Sequence, residues 1–305
     1  VRSRTLTVSA AQLGPIPLSA TRAETLARLI KLLEEAALEG TQLVVFPEAA
    51  LTPFFPHWLV RDHDELHSYY DKNLPGTDTQ ALFDAARELQ MAFVLGYAER
   101  AEDNRLFNTA VLVDENANII HRYRKIHLPG FDAVQKDAPF QNLEKRYFEV
   151  GNLGFGVQSW RKTKIGLAIC NDRRWAETYR VLALGGAELV CLGYNTPAST
   201  PHLPESDRLV DFQNHLSMQA GAYQNSMWVI GVAKAGTEEG VSQIGGSAIN
   251  APSGEIVAVA RTLGDELVTT DIDLDMVTRY RRDVFSFSQH RRPEHYRSIT
   301  EPVAR

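Results

Sequence analysis

Short apolar runs of strand length alternate with amphipathic helical stretches along this whole chain, and the second half repeats the order of the first. That rhythm points to an α/β fold. Leu6–Ala11 reads as a strand. Thr21 and Glu24 have the spacing of a capping box, and Leu26, Leu29, Ile30, Leu33 and Ala37 then share one helical face, ended by Gly40. Leu43–Pro47 is a buried strand that delivers Glu48. A helix covers residues 77–90 with Leu82, Ala86 and Leu89 inward, strands follow at 92–98 and 109–114, and a turn at Asn116–Asn118 leads to a return strand at 119–124. In the second half Lys164–Ile169 is a strand, Trp175, Tyr179 and Leu182 lie on one side of a helix stopped by Gly185 and Gly186, and Leu189–Leu192 is a strand. Leu209, Phe212, Leu216, Ala220 and Tyr223 mark another helical stripe, and Met227–Ala233 is a strand. The hairpin at 247–258 echoes the one at 109–120. Each half thus supplies a sheet with helices on one side, and the uncovered faces would pack together as a four-layer α-β-β-α sandwich. The alternation by itself equally allows a doubly wound sheet. No Pro/Gly/Ser-rich linker divides the chain, so residues 1–280 read as one domain with two similar halves. The tail, residues 281–305, rich in Arg, Phe and His, is expected to pack on a partner subunit.

A chain of 305 residues, 44% hydrophobic, can bury a substantial core. A net charge of −6 and a pI near 5.9 argue against nucleic-acid binding. No apolar run approaches the roughly 18 residues of a membrane helix, and the N-terminus shows no signal-peptide pattern. Two cysteines in so long a chain suit a reducing cytoplasm rather than a disulfide scaffold.

Three blocks carry chemistry, each at a strand end: Phe46-Pro47-Glu48, Tyr123–His127, and Cys170–Trp175. Taken alone, Cys170 is a small apolar residue closing a strand, Lys125 sits in the basic run His121–Lys125, and Glu48 is an ordinary loop carboxylate. Together they form a chemical set. Thiol attack on an amide-like carbon needs a base, a cation or N–H donors for the oxyanion, and an acid for the leaving nitrogen. A cysteine at a strand-to-helix turn meets N–H groups and a helix dipole that favour thiolate. Arg173 and Arg174 in the next turn offer a planar fork for a carboxylate. The residues therefore describe a cysteine-nucleophile hydrolase acting on a small anionic substrate.

The order Glu48, Lys125, Cys170 in these contexts resembles the nitrilase (carbon–nitrogen hydrolase) superfamily over about Leu6 to Tyr296. The chain is more similar still to the N-carbamoyl-D-amino-acid amidohydrolases, at Phe54–Pro56, Arg124–Gly130, Leu143–Glu149, Asn171–Trp175, Gly193–Pro197 and Ser217–Gly221. The resemblance implies an α-β-β-α sandwich and a mechanism without metal or cofactor. It implies Glu48 as general base, Lys125 as oxyanion stabiliser, Cys170 as nucleophile, and Glu144 orienting Lys125 and the attacking water. It further implies that the Asn171 N–H helps hold the oxyanion. The substrate carboxylate would meet Arg173 and Arg174, with Asn171, Asn195 and Thr196 around the rest of an N-carbamoyl amino acid. Asn142 and Gln213 stand where related carbamoylases carry histidines, so hydrogen bonding is kept and a titratable group is lost. His127 is either a group behind Lys125 or a loop residue. The resemblance also implies a homodimer or homotetramer.

Other signals are weaker. His63 and His67 are superficially like a zinc motif, but Glu65 is in the wrong place for H-E-x-x-H and a surface helix turn is expected. Cys191 lies within an apolar strand and reads as a core thiol, His215 reads as structural, and the glycines at 151–156 lack the spacing of a phosphate loop. Phe54, Phe55 and Trp58 fit a substrate pocket or the core equally well. The alternatives to a D-carbamoylase are another amidase of the superfamily, such as a β-ureidopropionase-like enzyme, and an inactive binding subunit on the same fold.

Overall fold

A computed structural model describes residues 4–302; residues 1–3 and 303–305, the outer ends of the expected domain and tail, lie outside the described residues. The first half runs β1 (Thr5–Gln12), α1 (Arg22–Leu38), β2 (Leu43–Val45), α2 (His63–Ser68), α3 (Gln80–Glu88), β3 (Ala92–Arg100), β4 (Leu106–Val113) and β5 (Ile119–Arg124). The second begins α4 (Glu144–Tyr147), β6 (Val157–Trp160), β7 (Thr163–Ile169), α5 (Ala176–Leu184), β8 (Leu189–Tyr194), α6 (Val210–Asn225) and β9 (Trp228–Ala233). It ends β10 (Ala235–Glu238), β11 (Val241–Ile244), β12 (Ala248–Asn250), β13 (Ile256–Val259), β14 (Glu266–Asp273) and α7 (Leu274–Asp283). Thr21 caps α1 with the reciprocal Glu24 bond its spacing foretells.

Two six-stranded sheets form, ordered β14-β1-β2-β3-β4-β5 and β13-β12-β9-β8-β7-β6. Their centres, β1-β2-β3 and β7-β8-β9, are parallel. The halves are not fully separate: β14, near the end of the chain, pairs antiparallel with β1 from Thr5↔Asp273 to Gln12↔Glu266. Along the first sheet, alternate residues face opposite layers. Val44, Phe46, Phe93, Leu95, Val111 and Val113 pack under α1 and α3. Val8, Ala10, Leu43, Val45, Val94 and Leu112 share a core with the second sheet. Burial on both faces is why these strands read as unbroken apolar runs. Among the described residues, α1 and α3 cover one face of the first sheet while its other face packs on the second sheet, which decides for the sandwich over the doubly wound alternative.

One stripe faces the other way from an ordinary core-facing helix stripe. Leu209 (40% exposed, in the turn before α6), Phe212 (61%), Leu216 (50%) and Tyr223 (42%) point outward. The inner face of α6 instead carries Asn214, Met218, Gly221 and Ala222. A Cβ on Gly221 would stand 2.6 Å from the Tyr179 ring, so this small inner face is what lets α6 lie close to its neighbours. Trp175 likewise stays 47% exposed at the start of α5. The tail begins on its own chain: Phe285 meets Tyr223 edge-on at 5.0 Å, and Arg180 lies 4.5 Å over the Phe287 ring.

Phe55 is core. It packs with Tyr69, Tyr70, Tyr147 and Phe148, with Trp58 against the same cluster. Residues 63–68 form α2, with Asp62 as its N-cap. Cys191 is fully buried in β8. No helix among the described residues is long and apolar enough to cross a membrane.

Candidate active site

Strand ends from both sheets converge on one buried spot. After β2 the chain turns sharply: Ala49 adopts φ +46, and Glu48 points into the sandwich. The Pro47–Glu48 peptide lies between Gly96 of β3 and Gly193 of β8, where a Cβ would come within 2.6 Å of the Pro47 carbonyl oxygen and 2.4 Å of the Glu48 nitrogen, respectively. Only glycine admits so close a backbone approach. Lys125 follows β5, its N–H donating to the Asn108 carbonyl at 2.8 Å. Cys170 follows β7 with φ +48, a left-handed conformation that a non-glycine residue adopts only under constraint. A 3-10 turn, Cys170–Arg174, separates it from α5, so the expected helix starts one turn later.

Lys125 is fully buried between two carboxylates, donating to Glu48 Oε1 at 2.7 Å and to Glu144 Oε2 at 2.6 Å. Glu48 Oε1 also accepts from Asn108 Nδ2 at 2.7 Å, and Oε2 from the Asn195 N–H at 2.8 Å and its side-chain nitrogen at 3.2 Å. The Cys170 thiol is 4% exposed and donates to the Asn195 carbonyl at 3.4 Å. Charges follow from this packing. Burial alone would raise the Glu48 carboxyl, but Lys125 and the hydrogen bonds from Asn108 and Asn195 outweigh it and hold Glu48 below the ordinary carboxylate range. Burial also lowers Lys125, yet Cys170, Glu144 and Glu48 together push it up, so it stays a cation. Burial, with Glu48 adding to it against Lys125, raises Glu144 to about 7. Burial and Glu48 push the Cys170 thiol up more than Lys125 and Arg173 pull it down. Cys170, the candidate nucleophile, is thus held as a thiol beside an ionised Glu48, not as the pre-formed thiolate its turn suggested.

The two arginines part company. Arg173 is 1% exposed and engaged within the chain, donating to the Cys170 carbonyl and the Thr196 hydroxyl, both at 2.7 Å, with its guanidinium 4.5 Å over Tyr194. Arg174 instead reaches the wall of a cavity of about 620 Å3 that it shares with Asn142, Thr196 and the 129–142 loop. No carboxylate among the described residues pairs with it; it donates only to Asn171 Oδ1, at 3.3 Å. Thr196, which lines the cavity, is tied to Cys170 through Arg173, which donates to both its hydroxyl and the Cys170 carbonyl. Asn195 lies below, holding Glu48, and Asn171 Nδ2 donates to the His127 carbonyl at 3.1 Å. Gln213 is exposed on α6, and the inward neighbour that meets Tyr194 is Asn214.

The sequence reading missed Asn108, Asp172 and Tyr123. Asn108 sits inside an apolar β4, where an amide is itself a signal, since a buried polar group needs a partner. Asp172 is fully buried beside Cys170, bonded to Tyr123 and His127. His127 also stacks on Trp175 at 5.0 Å. It therefore stands behind the Lys125 turn.

Among known proteins, a profile of the carbon-nitrogen hydrolase family matches residues 7–282. A nitrilase from Pyrococcus abyssi is 32% identical, with 87% of this chain and 90% of that protein aligned. An N-carbamoylputrescine amidase from Solanum lycopersicum is 28% identical over 98% of this chain and 96% of that one. The crystal structure of a carbon-nitrogen hydrolase from Helicobacter pylori superposes with a TM-score of 0.85, at 23% identity, covering 99% and 100% of the two chains.

Proposed function

The chain belongs to the carbon–nitrogen hydrolase family, whose enzymes act on amides, and from that premise we propose that it hydrolyses N-carbamoyl-D-amino acids to the D-amino acid, ammonia and carbon dioxide. The observation that carries this reading is Arg174, a guanidinium on the wall of a cavity that Thr196 also lines, with no carboxylate partner among the described residues. A substrate carboxylate would complete it with a bidentate contact. What favours the D series is the likeness of residues 124–130, 143–149 and 171–175 to D-carbamoylases.

The chemistry follows from the charges. The Cys170 sulfur attacks the ureido carbon while its proton passes to Glu48. Lys125 and the Asn171 N–H hold the oxyanion that forms. The tetrahedral adduct collapses as Glu48 returns the proton to the leaving nitrogen, giving a covalent S-acyl enzyme. Glu48 then takes a proton from water, whose oxygen attacks the same carbon; the C–S bond breaks as the thiol is re-protonated, and the carbamic acid released splits its remaining C–N bond, the nitrogen taking up the acid's proton, to give carbon dioxide and the second nitrogen product. Glu144 keeps Lys125 directed at the reacting carbon throughout. The protein acts as a homodimer or homotetramer in the cytoplasm, a second copy covering the outward apolar stripe of α6.

The test is a substrate panel: D and L N-carbamoyl amino acids, N-carbamoyl-β-alanine, N-carbamoylputrescine and a simple nitrile, with Cys170→Ala as the control. The D series should be turned over fastest, and Cys170→Ala should bind it without turnover. Faster turnover of the carboxylate-free N-carbamoylputrescine or the nitrile overturns the reading.

A further inference from the structure

We propose that Asp172 is a positioning residue: its carboxylate fixes the turn carrying the nucleophile against the turn carrying Lys125. The inference rests on Cys170 being the nucleophile, not on which amide is the substrate.

Asp172 is fully buried, and among the described residues no lysine or arginine is bonded to its carboxylate. A buried carboxylate left without donors would be strongly destabilising. Asp172 instead accepts four hydrogen bonds. Oδ2 takes the Ile169 N–H at 2.9 Å and the Tyr123 hydroxyl at 2.8 Å. Oδ1 takes the His127 N–H at 3.1 Å and, at 2.8 Å, His127 Nδ1 as the ring's N–H. The Tyr123 hydroxyl in turn accepts the Ile126 N–H at 3.2 Å.

The sources of these bonds give the group its meaning. Ile169 is the residue before Cys170. Tyr123 and His127 lie two residues either side of Lys125. Every bond the carboxylate makes therefore ends on one of the two catalytic turns. Those turns also belong to different sheets: β5 is in the first and β7 in the second. Packed sheets are held by apolar contact, which is non-directional and does not fix the relative position of two strand ends to a fraction of an ångström. A polar tie with four directed bonds does. Reaction geometry is sensitive on that scale, since a shift of about 1 Å costs on the order of 100-fold in rate.

Asp172→Asn keeps size and shape but turns a donor group toward two of the four donors. The expected result is a kcat at least tenfold lower, with KM within threefold of wild type. Alkylation of Cys170 by iodoacetamide, which needs no substrate, should slow at least fivefold at the same pH. Tyr123→Phe removes one of the four bonds and should lower kcat by a smaller factor. Combining it with Asp172→Asn should add little, because both break one unit. The proposal is overturned if Asp172→Asn keeps kcat within threefold, if it acts through KM alone, or if alkylation is unchanged. Should Asp172→Asn fail to fold, Tyr123→Phe decides: reduced kcat at constant KM supports the tie, and wild-type kcat refutes it. If the wild type turns over no N-carbamoyl amino acid while alkylation still depends on Asp172, the substrate reading falls and the positioning role stands.

Discussion

The Pro47–Glu48 peptide passes closely between Gly96 and Gly193, and Gly193→Ala tests what that closeness does. A methyl group there would stand 2.4 Å from the Glu48 nitrogen and 2.6 Å from the Pro47 carbonyl carbon, against an ordinary contact beginning at 3.4 Å. The obstructing atoms are backbone, so no side chain can rotate away. One strand end must yield by about 1 Å, and Gly96 closes the opposite side, where a Cβ would meet the Pro47 oxygen at 2.6 Å. Glu48 would then leave its 2.7 Å contact with Lys125 and its 2.8 Å contact with the Asn195 N–H. A displacement of that size in a catalytic group lowers kcat by roughly 100-fold, or about 2.7 kcal/mol of transition-state stabilisation. Overpacking should reduce stability by about 1–3 kcal/mol. Steady-state kinetics and urea unfolding on wild type, Gly193→Ala and Gly264→Ala measure both. Gly264 has open space around its Cβ position, so that variant should match wild type. If Gly193→Ala keeps kcat within threefold and unfolds at the wild-type midpoint, the close approach does not position Glu48.

Glu144→Gln should alter the pH dependence of stability. Glu144 is raised from 4.5 to about 7 in the folded protein, so folding takes up a proton between those values. For this group stability is fully present below about 4.5 and is lost as pH rises through about 7. Urea midpoints at pH 5.5 and 7.5 should therefore fall less with rising pH in Glu144→Gln than in wild type; equal slopes would remove Glu144 as the cause. Arg174→Lys should raise KM about tenfold with little change in kcat, because lysine cannot make the planar bidentate contact; an unchanged KM would argue against a carboxylate clamp. Phe212→Asp combined with Leu216→Asp should convert an oligomer to monomer by light scattering, and a monomeric wild type at tens of micromolar would show that the α6 stripe is not a self-association face.

The choice of sandwich over doubly wound sheet and the grouping of Glu48, Lys125 and Cys170 rested on resemblance, while periodicity and spacing carried the α/β class, nearly every central strand and the capped start of α1. These are local properties: a strand buried on both faces must be apolar throughout, and a helix N-terminus needs its cap. The orientation of α6 was not legible. A stripe reveals that a helix has an apolar side but not whether that side or a small-residue side meets the sheet, and here Gly221 and Ala222 won the inner position. The roles of adjacent Arg173 and Arg174 were not legible either, because a tight 3-10 turn sends one side chain down to the Cys170 carbonyl and the other out to the cavity. Nor did the sequence reveal the state of the Cys170 thiol. Strand-to-turn position suggested thiolate, whereas burial beside Glu48 keeps a thiol. The sequence by itself determined which chemical groups are available and which elements carry them. Only the tertiary structure decided how two sheets bring three strand ends together, which buried charges lie against one another, and that Asn108 bonds Glu48 while Asp172 bonds Ile169, Tyr123 and His127, because those are properties of distances between residues far apart in the chain.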